Sequence, residues 1–66
     1  MDKLEDLWAS LLSENAVLIR RALAELGETE AIAVRAHLQR MAEDRGYSEV
    51  QRRAARAALE AAREAD

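Results

Sequence analysis

Proline is absent from these 66 residues, and glycine occurs only twice, at Gly27 and Gly46. A chain with so few breakers has few places to turn, and those places divide it. Between them the apolar residues recur with helical spacing. Leu4, Leu7, Trp8, Leu11 and Leu12 fall at i, i+3, i+4, i+7 and i+8, which predicts a first helix over about Lys3 to Leu12. Asp2 with Glu5 resembles a capping box at its start. The segment Ser13-Glu14-Asn15 interrupts the stripe, and Ser13 or Asn15 can cap a second helix running to about Leu26. Its inward positions are Ile19, Ala22, Leu23 and Leu26, and Gly27 stands where a left-handed closing glycine belongs.

Thr29 is the expected N-cap of a third helix that ends near Arg45, with Ala31, Val34, Leu38, Met41 and Ala42 on its buried face and Gly46 closing it. Ser48 and Gln51 form a capping box for a fourth helix reaching about Ala65. There Glu49, Arg52, Arg53, Arg56, Glu60, Arg63 and Glu64 share one side, and Val50, Ala54, Ala57, Ala58, Ala61 and Ala62 share the other. The pattern predicts a single all-α domain over residues 1–66, a small antiparallel bundle of four helices in two hairpins. The boundary between helices one and two is the least defined.

The core available to this domain is thin. Fifteen of its 33 hydrophobic residues are alanine. The expected cluster comprises Leu4, Leu7, Trp8, Leu11, Ile19, Leu23, Leu26, Val34, Leu38, Met41, Val50 and Leu59. Domains of this size are marginal, and many gain stability by associating.

A weak repeat is visible at a spacing of 33 residues. Val17, Arg20, Ala22, Ala24 and Leu26 align with Val50, Arg53, Ala55, Ala57 and Leu59. Such periods mark helical-repeat architectures. The stretches LIRRALAELG (Leu18 to Gly27) and QRRAARAALE (Gln51 to Glu60) resemble the second helix of HEAT-like repeats of the phycobilisome-lyase type. ETEAIAVRAHL resembles the turn and first helix that follow in such a repeat. The resemblance covers about two repeat units and implies a protein-binding scaffold.

Several chemistries lack their residues. With no cysteine there is no disulfide, zinc–thiolate site or thiol nucleophile. This fits the cytosol, as does an N-terminus, MDKLEDLW, without the basic start and apolar stretch of a signal peptide. No apolar run approaches the roughly 20 residues that span a bilayer. His37 is the single histidine and is expected at the edge of the core; with no second histidine or cysteine beside it, no metal site is expected. Glu43 and Asp44 point about 100° apart on a helix and cannot converge on one proton. Ser10 and Ser13 have no histidine in local register, and there is no glycine-rich phosphate loop. No enzymatic activity and no cofactor are expected.

The strongest charge feature lies in residues 35–56. Arg35, Arg40, Arg45, Arg52, Arg53 and Arg56 face Glu43, Asp44 and Glu49, a local net of +3. The whole chain carries −3, with −4 in residues 1–30 and +1 in residues 31–66. A nucleic-acid surface favours a patch free of acids on a basic domain, so nucleic acid is the secondary reading. Glu49 with Arg53 and Arg56 with Glu60 have the spacing of helical ion pairs. The abundance of arginine beside alanine also fits a GC-rich bacterial genome. Trp8 lies in the leucine stripe, and Tyr47 is placed either on the first turn of helix four or at an interface.

The leading expectation is a cytoplasmic protein-interaction or self-assembly module. Helix four should run past its shorter neighbours and leave Ala58, Ala61, Ala62 and Ala65 as an exposed strip. With Arg52, Arg53, Arg56 and Tyr47 these residues are the expected partner contacts. The partner is another protein or a second copy in a C2 homodimer.

Overall fold

A computed structural model of the chain describes residues 3–65, the side chain of Ala65 excepted. It contains four helices, α1 (Lys3–Leu11), α2 (Ala16–Ala24), α3 (Glu28–Glu43) and α4 (Glu49–Ala65), and no strand among the described residues. The Asp2 half of the expected first capping box lies outside those residues.

Local chemistry sets each boundary. The α1–α2 junction is a true break: Glu14 takes a left-handed conformation, with φ of 59°. Asn15 follows in extended backbone, and its Oδ1 accepts from the N–H groups of Val17 (3.0 Å) and Leu18 (3.3 Å). This satisfies two of the donors that a helix start leaves open. The expected boundary near Gly27 needs correction. Gly27 is the N-cap of α3 with φ of −72°, not a left-handed closure of α2, and Thr29 lies inside the first turn. Glu30 makes this work by accepting the Gly27 N–H at 3.2 Å. At the other end of α3, Asp44 leaves helical geometry, and its carboxylate accepts the Gly46 N–H at 2.8 Å. The aspartate therefore ends α3 before Gly46 is reached. The α4 capping box forms in both directions, Ser48 N–H to Gln51 (3.0 Å) and Gln51 N–H to Ser48 (3.1 Å), as the spacing predicts.

The helices run up, down, up and down, in two antiparallel hairpins. α4 is the hub, packing most extensively on α3, then on α2, and touching α1. Two ion pairs show that it runs parallel to α2: Glu14 to Arg53 at 3.3 Å near the two starts, and Arg20 to Glu64 at 3.9 Å further along. The bundle measures 29 × 29 × 22 Å.

Leu11, Ile19 and Leu38 are the largest fully buried side chains, joined in the core by Val34, Met41 and Ala22. α4 contributes only alanines to the buried set, Ala54, Ala55, Ala58, Ala61 and Ala62. Leu7, Trp8, Leu23, Leu26, Tyr47 and Leu59 pack around this centre half-buried. Two expected core residues are not in it: Leu4 is 59% exposed and Val50 is 62% exposed. Each is the second residue of its helix. Val50 also lies about 80° from the centre of the buried alanine face at 100° per residue.

The burial pattern predicts unequal costs for truncation. Leu38→Ala should lose about 2–5 kcal/mol and largely unfold so small a domain. Val50→Ala should stay within about 0.5 kcal/mol of the parent. Urea denaturation followed by circular dichroism checks both.

Candidate interaction surface

The expected alanine strip is not a surface. Ala58, Ala61 and Ala62 are buried against the rest of the bundle. Ala65 ends α4, and its side chain lies outside the described atoms. The reason is the packing of α4 along its length, which leaves its small residues no free flank where expected.

The arginine residues are placed differently from one another. Arg53 reaches Glu14 across helices rather than Glu49 on its own. Arg52 donates to the Tyr47 carbonyl, and Arg56 donates to the Ala42 carbonyl at 3.5 Å. Arg40 lies 3.3 Å from Nδ1 of His37. Arg40, Arg52, Arg53 and Arg56 thus each engage a group of their own chain. These are mostly exposed contacts, worth at most about 1 kcal/mol each. Tyr47 packs on the core cluster, and its carbonyl is tied to Arg52, so these two residues do come together.

His37 is half-buried, with its ring 5.0 Å from that of Trp8 in an edge-on arrangement. It serves there as a packing partner between α1 and α3. Among the described residues, no group of three or more His, Cys, Asp or Glu could hold a metal ion. Among the same residues no helix is long and apolar enough to cross a membrane.

An open groove of about 780 Å³ lies elsewhere, between α1, α2 and the start of α3. Its apolar lining is Leu4, Leu7, Leu18, Ala22 and Leu26. Its polar lining is Lys3, Asp6 and Ser10 from α1, Arg21 and Glu25 at the α2 side, and Glu30 from α3. Leu4 and Leu18 remain 59% and 40% exposed there. Sequence reasoning did not single out this face. One signal was present: Leu18 falls off the arc of Ile19, Ala22, Leu23 and Leu26 that faces the core, so an apolar residue was left without an inward place. Leu4 gave no such signal, because it shares the stripe with Leu11 and differs only in lying at the helix start.

No known protein family matches the chain, and no curated protein or solved structure matches it either.

The net charge of −3 and the acidic first half of the chain argue for weak attraction to polyanions. On heparin the protein should elute below physiological ionic strength. Retention well above it would show that the arginines act together as a polyanion surface.

Proposed function

We propose that this chain is a non-catalytic, cytoplasmic protein-interaction module whose contact face is the α1–α2 groove. The observation that carries the reading is the convergence of Leu4 and Leu18, both exposed, on one groove with an apolar floor. Single exposed leucines are ordinary on protein surfaces, but contiguous apolar patches with polar rims mark places where another surface docks. The groove follows two short helices, a shape suited to packing against further helices. The HEAT-like character of LIRRALAELG and QRRAARAALE points the same way, because such repeats serve as scaffolds. The lack of cysteine suits a reducing compartment.

A photo-crosslinking residue placed at Leu18 tests the reading inside cells, with the same residue at Ala36 as control. Ala36 is exposed and lies on the side of α3 opposite its buried Val34, Leu38 and Met41. Crosslinking at position 18 should give an adduct of discrete mass, and position 36 should not. The absence of a discrete adduct at position 18, or equal labelling at both positions, would defeat the proposal.

A further inference from the structure

We infer that the occupant of the α1–α2 groove is a second copy of this chain, docked about a two-fold axis. The inference rests on the interaction reading above and names its partner.

The first argument is charge. A two-fold interface sets a patch against itself, so a rim of one sign would repel its own copy. This rim carries both signs, with Lys3 and Arg21 beside Asp6, Glu25 and Glu30. Lys3, Asp6, Arg21 and Glu25 make no ion pair among the described residues, in contrast to Arg20, Arg53 and Arg63 elsewhere. Four unpaired charges of mixed sign around an apolar recess can pair with their own rotated image, as a rim of one sign cannot.

The second argument is area. The chain exposes 4840 Å². A folded monomer of this mass exposes about 4200 Å² by the usual scaling of surface with size. The surplus is about 600 Å². The smallest specific interfaces take about 600 Å² from each partner. Taken over the whole chain, the surplus is of the order that one small interface would cover.

The third argument is shape. Leu4 and Leu18 are the apolar projections of this face, and the floor between them is formed by Leu7, Ala22 and Leu26. A two-fold axis over the groove sets each copy's projections opposite its partner's recess. The product is a second layer of helices on α1 and α2, which places Leu4 and Leu18 in a shared core.

The test uses charge, because the rim residues are exposed and their substitution leaves the monomer core intact. One variant carries Lys3→Glu and Arg21→Glu, giving an all-acidic rim. The other carries Asp6→Lys and Glu25→Lys, giving a rim that is basic but for Glu30. Circular dichroism confirms that each is folded, and sedimentation equilibrium at high micromolar concentration reads the mass. The parent should sediment at twice the chain mass, each variant alone at the chain mass, and an equimolar mixture again at twice the chain mass. Leu18→Ala, a milder change, should weaken parent association without loss of helicity. A parent that stays monomeric would overturn the self-docking inference. The interaction reading would then stand or fall on the crosslinking result, where an adduct heavier or lighter than twice the chain mass identifies a different partner. A parent dimer that both charge variants and Leu18→Ala leave intact would overturn the assigned surface.

Discussion

The contact on which this bundle depends is the alanine face of α4 against α2 and α3. Ala55 and Ala58 are completely buried, and Ala54, Ala61 and Ala62 nearly so. One methyl group adds little burial by itself. Small side chains instead let neighbouring helices approach closely, since interaxial distance follows the size of the residues at the contact. Leu11, Ile19 and Leu38 then fill the centre from the other three helices. The large residues come from the partners of α4, and α4 supplies the surface they close upon.

Close packing by α4 has polar consequences. Its helix starts beside the α1–α2 junction, which brings Arg53 within 3.3 Å of Glu14. Glu14 holds a backbone conformation that residues with a side chain adopt only at some cost. The neighbouring Asn15 cap and the Arg53 contact both act on this junction, which ends α1 after nine residues. Because α1 and α2 are each only nine residues long, their outer faces cannot be fully covered by one hub helix. The groove with Leu4 and Leu18 is the result, so the proposed contact face follows from the same constraint that builds the core.

Much of the fold was legible in the sequence. Helical spacing gave four helices, and Ser48 with Gln51 placed the start of α4 correctly. The glycines misled at both boundaries: Gly27 takes an ordinary negative φ and becomes an N-cap through the hydrogen bond to Glu30, and Asp44 ends α3 before Gly46. The residues aligned at a spacing of 33 share burial only in part: Val17 and Val50 are both exposed and Ala22 and Ala55 both buried, but Ala24 is exposed where Ala57 is half-buried. What the sequence could not convey was which part of a helix its neighbours cover. Periodicity assigns faces but not the extent of overlap along the axis. Leu4 and Val50 were therefore expected inside, and Ala58, Ala61 and Ala62 outside, when the packing places each of these the other way.

The central claim is that the α4 alanine face is a close-packed seam and not a spare surface. Replacement of Ala58 by Leu tests it most directly, read as the urea midpoint at low protein concentration. A buried seam has no room for the added side chain, so the midpoint should fall by the equivalent of about 1–3 kcal/mol. An unchanged or raised midpoint would show that Ala58 faces open space and would contradict the account.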